Sequence, residues 1–292
     1  MAREHVELTG DKQTLLVTLY GKALDSRAAQ PILGDTYARD VVDHLDYDFS
    51  RLHVPRGAEV SLPVRAKHFD NWTREFLASH PRATVLHLGC GLDSRVLRVD
   101  PEPGVRWYDV DYPEVIELRR RLYPGRAGSA ANANLDRTIG SDGTAAASYE
   151  MIGSSVTDLR WLDQIPTGEP VIVVAEGLVE YLRPDAGLEL FRLITERFPS
   201  GALVFDACSK LFARMIRLFP AARTADVHLS WTFDDPRDLV RAIPRLELVE
   251  DVSFLALPEL AARLPRARAA MLRFLTHFRW ARRSIRHLRY RF

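Results

Sequence analysis

Short apolar runs alternate with amphipathic segments through the middle of the chain. Five runs are short enough for strands and are bounded by turn residues or charged segments. They lie at 84–88, 105–110, 149–154, 171–175 and 202–206. Because helical or loop segments separate them, the alternation is typical of a parallel sheet that is covered on both faces. The pattern therefore predicts an α/β fold.

The segments before the first strand have helical spacing. Apolar residues recur at helical intervals over 14–48, with breaks at Pro31 and Gly34. A second amphipathic helix is predicted over 62–79 and is closed by Pro81. We therefore expect an N-terminal helical cap over 1–80 and a core over 81–292, which together form a single structural unit.

Two irregular segments interrupt the core. The segment 125–147 is rich in Gly, Ala, Ser, Asn and Asp, which predicts a mobile connection. The segment 209–231 follows the fifth strand, and insertions at the carboxyl ends of parallel strands lie over the ligand crevice. This position predicts a helical substrate lid. The alternative is an amphipathic helix that simply packs on the core.

The first strand ends in a glycine turn. Gly89 and Gly91 lack a Cβ, so the backbone can turn sharply and approach a ligand, and Asp93 or Ser94 can cap the next helix. The second strand ends in Asp111, about twenty residues on, where such folds bind ribose hydroxyls. The pair indicates an adenosyl cofactor. The alternatives are an ordinary tight turn and, for Asp111, a helix N-cap.

Two more predicted strands also end in carboxylates. Asp158 follows the third strand, where it and the neighbouring backbone N–H can bracket an adenine, although it also suits a helix N-cap. Glu176 follows the fourth strand directly, so its charge lies near buried surface and needs a partner. Carboxyl ends of parallel strands form one ligand-binding edge. We expect these acids to line the same crevice as the glycine turn.

Charge is balanced overall but not along the chain. The net charge of +1 over 292 residues predicts no general attraction to nucleic acid. After Glu259 no acidic residue occurs, whereas ten arginines follow: Arg263, Arg266, Arg268, Arg273, Arg279, Arg282, Arg283, Arg286, Arg289 and Arg291. The C-terminal face should be basic, either as a solvated surface or as an anion-binding one.

Cysteine usage and hydropathy indicate the cellular compartment in which the protein works. Cys90 and Cys208 are far apart and form no C-x-x-C pair, so neither a disulfide framework nor a zinc site is predicted. The histidines are dispersed, and no metal site is expected. The polar start lacks the apolar region of a signal peptide, and no apolar run is long enough to span a bilayer. We expect a cytoplasmic protein without membrane partners.

The motifs together resemble one family. They read L-G-x-G-L-D-S-R over 88–95, D-V-D-Y-P over 109–113, D-L over 158–159 and A-E-G-L-x-x-Y-L over 175–182. N-terminal blocks agree at 19–23, 32–38, 46–49 and 65–70. The set is similar to the leucine carboxyl methyltransferase family, in particular its bacterial, tetracenomycin-type branch linked to polyketide O-methylation. The resemblance covers roughly 14–254.

The resemblance implies a Rossmann-like class I methyltransferase fold that binds S-adenosyl-L-methionine. It implies seven mostly parallel strands with an antiparallel last strand, the helical cap, and the helical insertion after the fifth strand. The cofactor-binding residues that it implies, by position, are Lys22 and Arg65 for the methionine carboxylate, Gly89 and Gly91 for the methionine moiety, Asp111 for ribose, Asp158 and Leu159 for adenine, and Glu176 for the ammonium group.

Two departures bear on the substrate. Where the family has Arg-Thr, this chain has Arg65 followed by Ala66, so a hydroxyl is missing. The segment 206–209 and the lid after it are individual to this chain. The resemblance therefore predicts the fold and the cofactor, but it does not identify the acceptor.

The acceptor is expected to be a small molecule with an acid or phenol group. Transfer from a sulfonium mostly needs positioning and desolvation, and a carboxylate acceptor needs no base. A phenol would need one, and the sequence offers only weak candidates for that role: His228, Tyr181 and Glu180. The absence of a clear base slightly favours a carboxylate or an acidic hydroxyl. The residues do not determine the oligomeric state.

Three other functions remain open on the sequence. An NAD-dependent oxidoreductase shares the glycine turn and Asp111, but Ser94 stands at its third glycine position. A non-catalytic cofactor-binding protein could keep the fold and use the basic C-terminal face for docking. A protein C-terminal carboxylate as acceptor rests on family analogy alone.

Overall fold

A sheet of seven strands lies at the centre of the protein. The computed structural model describes residues 4–5, 13–52, 54, 57–123, 148–216 and 229–292. In these residues the sheet consists of β1 Ala83–Leu88, β2 Val105–Asp111, β3 Ser148–Gly153, β4 Val171–Ala175, β5 Gly201–Cys208, β6 Glu247–Ser253 and β7 Ile285–Arg291. The five strands expected from apolar runs are confirmed within two residues at each end. Outside this sheet, the short strands Glu4–His5 and Leu45–Asp46 pair in parallel.

The sheet has the strand order β3-β2-β1-β4-β5-β7-β6. Strands β1 to β5 run parallel, and β7 runs antiparallel to both of its neighbours. The register pairs Leu88 with Val110 and Val174 with His87, so the ends of β1, β2 and β4 meet at one edge. The predicted seven-stranded sheet with a reversed last strand is confirmed. The order changes direction beside β1, which creates the crevice where such sheets bind ligands.

Helices cover the sheet and precede it. Among the described residues they are α1 Gln13–Ser26, α2 Thr36–His44, α3 Ala58–Ser79, α4 Arg95–Val99, α5 Pro113–Leu122, α6 Pro184–Arg197, α7 Lys210–Ile216, α8 Arg237–Ala242, α9 Pro258–Ala262, α10 Arg266–Leu275 and α11 Arg279–Arg282. The helical cap and its break are confirmed by α1 and α2. Helix α3 begins four residues before the predicted start at position 62. Gly57 in a left-handed conformation begins it, and Pro63 lies inside it.

The two faces of the sheet bury different helices. On one face, Phe69, Trp72 and Phe76 of α3 pack against alternate residues of β1, β2, β4 and β5. On the other face, Leu190 and Phe191 of α6 pack against the intervening residues. Since the side chains of a strand alternate between faces, both faces of these strands are apolar. Helix α3 therefore forms part of the hydrophobic core on one face of the sheet, although it lies within the predicted cap.

Only part of the expected lid is described. Helix α7 opens it, and Ala213 packs there against Cys208 and Leu229. Residues 217–228 and the connection predicted at 125–147 lie outside the described residues. Trp231, at the far end of the insertion, is buried against Phe191 of α6. No helix in the described parts of the chain is long and apolar enough to cross a membrane.

Gly187→Ala should loosen the contact that anchors the end of the insertion. A Cβ at Gly187 would lie 2.1 Å from a ring carbon of Trp231, and overpacking of this kind costs about 1–3 kcal/mol. Urea unfolding should show this loss even though alanine favours helices. Gly168→Ala is the control, because its Cβ would meet nothing within 4 Å. Equal stability of the two variants would contradict the packing argument, and adding Trp231→Phe should recover part of the loss.

Candidate active site

The turn after β1 needs glycine at both of its positions. Gly89 and Gly91 have φ values of 60° and 51°, a left-handed conformation that strains other residues. A Cβ at Gly89 would lie 2.9 Å from Leu178. The Gly89 N–H donates to the carbonyl of Val110 at 2.8 Å, which ties the turn to β2. The turn thus brings the backbone close to the end of β4.

Asp111 holds this turn from β2. Its Oδ2 accepts a hydrogen bond from the Gly91 N–H at 2.7 Å, and its Oδ1 accepts one from the Tyr112 N–H at 2.7 Å. Burial raises the pKa of the Asp111 carboxyl, and the two amide donors oppose that shift. The N-cap hypothesis is wrong, because β2 continues through Asp111 and the cap position of α5 is Tyr112. The ribose role of Asp111 stays a prediction.

Glu176 lies at the mouth of β4 between two guanidinium groups. Arg65 Nε donates to Oε1 at 2.9 Å, and Arg95 Nη2 donates to Oε2. Desolvation alone would raise the pKa of Glu176, but Lys22, Arg95 and Arg65 hold it well below its usual range. The partners that burial required are thus two arginines, and the carboxylate stays ionised.

Arg65 also binds a carboxylate that the sequence analysis did not select. Its Nη1 donates to Asp206 Oδ2 at 3.0 Å, and Asp206 Oδ1 accepts from the Gly177 N–H at 2.6 Å. Asp206 lies in β5 next to the end of β4. The sequence did contain a signal for Asp206, because it is an acidic residue inside an apolar strand, just as Glu176 is an acidic residue directly after one. The Arg65 side chain is 20% exposed and that of Arg95 is 0%, so Arg65 reaches the surface of the crevice.

Lys22 is buried beside the glycine turn. Its Nζ lies 3.1 Å from Asp93 Oδ1, and Arg98 Nη1 donates to the same oxygen at 2.6 Å. Ser94 occupies the N-cap position of α4, as expected, but its side chain makes no capping hydrogen bond. The hydroxyl of Ser94 donates to Asp35 instead, and Asp93 is drawn to the cations. A role for Lys22 at the methionine carboxylate stays a prediction.

These contacts join into what we call the ionic network. Its further links run from Arg95 Nε to Asp70 at 2.8 Å and from Arg98 to Asp70 and Asp35. The members are Lys22, Asp35, Arg65, Asp70, Asp93, Arg95, Arg98, Glu176 and Asp206. They are four cations and five carboxylates, which leaves one surplus negative charge when every acid is ionised.

Asp158 and Leu159 stand apart from the network. The carboxylate of Asp158 accepts from Arg160 Nε at 2.8 Å and from Nη2 at 2.5 Å, which lowers its pKa. Asp158 occupies the N-cap position of the short helical turn 159–164, as its alternative role predicted, but its side chain makes no capping hydrogen bond. Leu159 packs on the main core. Their role at adenine stays a prediction.

Glu180 lies four residues after Glu176 and forms no ion pair within the described residues. Its main-chain oxygen accepts from Ser230 N at 2.7 Å, which places it between β4 and the end of the insertion. Its Oε2 is buried and has no hydrogen-bond partner in the described residues. Burial first, then the charges of Asp206 and Glu176, raise its pKa to about 8, while Arg65 opposes the shift.

The two weaker catalytic candidates remain predictions. The ring of Tyr181 is 39% exposed, next to Glu180 in the chain. His228 lies outside the described residues. Sequence analysis ranked Glu180 no higher than these two, because its burial depends on packing that no local pattern reveals.

The fold and the crevice define a class. A sheet with the order given above, a glycine turn after β1 and an acid closing β2 form a class I methyltransferase fold. In agreement, a crystal structure of a DUF574 family protein from Streptomyces avermitilis aligns with a TM-score of 0.53 over 94% of this chain and 96% of that one, at 15% identity.

Sequence comparison places the chain more narrowly. A model of the family described as leucine carboxyl methyltransferase matches residues 15–195. The tetracenomycin polyketide synthesis O-methyltransferase TcmP of Streptomyces glaucescens is 40% identical over 286 residues, covering 97% of this chain and 98% of that protein. The S-adenosyl-L-methionine-dependent methyltransferase dpfgK of Gibberella zeae is 33% identical over 262 residues, covering 84% and 83%.

The chain belongs to the leucine carboxyl methyltransferase family. It is an S-adenosyl-L-methionine-dependent O-methyltransferase. The residues present fit that cofactor. A methionine moiety carries a carboxylate and an ammonium group, and the crevice offers a partly exposed arginine beside buried carboxylates. The surplus negative charge of the ionic network complements the sulfonium. The oxidoreductase interpretation of the glycine turn is thereby set aside.

Glu180→Gln should stabilise the protein in a pH-dependent way. Below pH 4.5 the carboxyl is protonated in both states, and between 4.5 and about 8 only the unfolded chain ionises. The wild type should therefore lose stability relative to the variant as pH rises through that window, with no further change above it. Melting temperatures from pH 4 to 9 would measure this. Glu117→Gln, on an exposed helix face, is the control. A pH-independent difference would contradict a buried neutral Glu180.

Proposed function

We propose that the protein methylates a carboxylate or an acidic hydroxyl of a small, polyketide-type molecule. The relative TcmP, 40% identical over 97% of this chain, carries polyketide synthesis in its name. An acceptor with an acidic group carries an ionised oxygen near neutral pH, so it needs little help from a base. An anionic oxygen is also the better nucleophile. A protein C-terminus would be a second kind of carboxylate, and no contact in the described crevice favours it.

The residues that would hold the cofactor follow the strand ends. We infer that Arg65 and Lys22 serve its carboxylate, Glu176 its ammonium group, Gly89 and Gly91 the methionine moiety, Asp111 the ribose, and Asp158 with Leu159 the adenine. The pairing of opposite charges within the crevice supports the first three. When bound, the cofactor supplies an electrophilic methyl group on its sulfonium. The acceptor oxygen would take this methyl group by in-line displacement.

One observation carries the acceptor proposal: Glu180 has a buried, unpaired carboxyl oxygen and a pKa of about 8. It lies where the ends of β4 and β5 meet the insertion, beside Asp206 and Cys208. Near neutral pH it is mostly protonated and can donate a hydrogen bond to an acceptor carboxylate. When ionised, it can instead accept the proton of an acidic hydroxyl. Either role orients an oxygen nucleophile in a water-poor site.

The insertion would supply the acceptor's apolar contacts. On α7, Leu211 is 49% exposed and Met215 is 39% exposed, whereas Ala213 is buried. Exposed apolar side chains one turn apart form a surface that suits an aromatic or acyl body. The substrate-lid role therefore remains our proposal for this segment. It is separate from cofactor binding, whose residues lie on other elements.

Asp111→Asn should weaken binding of S-adenosylhomocysteine by about tenfold or more. The variant loses the charge-assisted bonds to ribose, worth about 1.5–3 kcal/mol, and its amide opposes one of the N–H donors at Gly91 and Tyr112. The melting temperature should fall as well. Calorimetric titration would measure the affinity, with exposed Asp238→Asn as control. Unchanged affinity with lowered stability would reduce Asp111 to a support of the turn.

The pH dependence of kcat/KM should identify the acceptor group. For a carboxylate acceptor, kcat/KM should fall as pH rises through about 8, because ionised Glu180 repels it. For a phenol acceptor, kcat/KM should rise through about 8, because only the ionised form takes the proton. Assays would use a panel of aromatic acids and acidic phenols.

The matched variants sharpen that assay. Glu180→Gln should keep carboxylate methylation and flatten its profile, but should abolish phenol methylation. Tyr181→Phe tests the other described candidate: the step near pH 8 should remain in this variant if Glu180 is the group that titrates, and loss of the step would assign it to Tyr181 instead. A wild-type profile without a step near pH 8, unchanged in Glu180→Gln, would contradict the role of Glu180 at the acceptor.

A further inference from the structure

A second polar cavity lies at β6 and β7, the two outermost strands on one side of the sheet. It has a volume of about 450 Å³ and is lined by Asp251, Ser253, Arg279, Arg282, Arg283 and Arg286. These residues come from β6, β7, α11 and the residue that follows α11. The lining includes no member of the ionic network and no residue assigned above to cofactor or acceptor. The cavity therefore has a lining of its own, although Arg286 is paired in the sheet with Ala207, the neighbour of Asp206.

The charge of this cavity is strongly one-sided. The lining contains four arginines and a single carboxylate, that of Asp251. This carboxylate lies 3.3 Å from Arg286 Nη1. Arg279, Arg282 and Arg283 form no ion pair within the described part of the chain. The chain contains no acidic residue after Glu259 that could neutralise them locally. Three positive charges remain in surplus.

Two buried polar atoms in this cavity also lack partners. Arg286 is 3% exposed, and its Nε makes no hydrogen bond in the described residues, although its Nη2 donates to the carbonyl of Phe233. The hydroxyl of Ser253 is buried and unpaired as well. Buried polar groups are nearly always satisfied, so such orphans call for a ligand or water. Both atoms belong to residues that line the cavity, but both are covered, so an anion in the cavity reaches them only after these side chains turn toward it.

We propose that this cavity binds the phosphate group of a phosphorylated small molecule. Guanidinium forks match phosphate oxygens in pairs, and a doubly charged anion balances the surplus better than a carboxylate does. The volume falls within the range of small-molecule sites and exceeds the needs of one phosphate.

Calorimetric titration at fixed ionic strength tests this proposal with two probes, inorganic phosphate and phenyl phosphate. Both should bind the wild type, and phenyl phosphate should bind more tightly. Arg282→Ala/Arg283→Ala removes two exposed cavity arginines and should weaken both probes by about tenfold or more. Arg266→Ala/Arg268→Ala removes the same charge from exposed positions of α10 outside the cavity and should bind as the wild type does.

Ser253→Ala separates a built site from general attraction. It removes one hydroxyl donor without changing charge, so it should weaken binding several-fold at constant salt dependence. S-adenosylhomocysteine should bind all these variants equally, which keeps the result independent of the methyltransferase site. Equal loss of phosphate binding in both arginine pairs, or no effect of Ser253→Ala, would overturn the proposal. Failure of either probe to bind the wild type at millimolar concentration would overturn it as well.

Discussion

The buried ionic network around Glu176 is the interaction on which the site depends. It links α1 through Lys22, α3 through Arg65 and Asp70, α4 through Arg95 and Arg98, and the ends of β4 and β5. Removing one member of a buried pair strands the other and costs about 3–5 kcal/mol. Lys22, Arg65 and Glu176, which are expected to bind the cofactor, therefore also hold the helical cap to the sheet. Loss of activity in their variants must be judged together with stability.

Asp109, a buried acid in β2, supports the glycine turn through Arg119. It accepts hydrogen bonds from Trp107 Nε1 at 2.9 Å and from the Tyr149 hydroxyl at 2.6 Å, and it pairs with Arg119. Despite desolvation, Arg119 and His87 hold its pKa well below its usual range. Arg119 in turn donates to the carbonyl of Gly91 at 2.8 Å. The turn is thus fixed by charge from β2 as well as by glycine.

Five of the seven strands could be predicted from apolar runs because that signal is local, whereas β6 and β7 are rich in charged residues and were implied only by the family resemblance. An apolar run such as 171–175 identifies its own strand, and the glycine turn identifies the ligand edge. The partners could not be predicted, since Arg65 lies 111 residues from Glu176 and 141 from Asp206. Ser94 and Asp158 do occupy N-cap positions, but their side chains make no capping hydrogen bonds. They bond to charged side chains instead, Ser94 to Asp35 and Asp158 to Arg160, because such charge-assisted bonds are stronger than a local cap.

Glu176 and Glu180 show how one loop can provide two different carboxyl groups. They lie four residues apart, yet Glu176 is held by two arginines, while Glu180 faces Asp206 and the charge of Glu176. The first stays ionised at every working pH, and the second is neutral until about pH 8. Pairs whose surroundings push their pKa values apart separate fixed charge from proton transfer. Arg65 already pairs with Glu176 and Asp206. Its positive charge therefore does not balance a negative charge on Glu180 as well. The ionic network that stabilises the cofactor side thus creates the titratable group on the acceptor side.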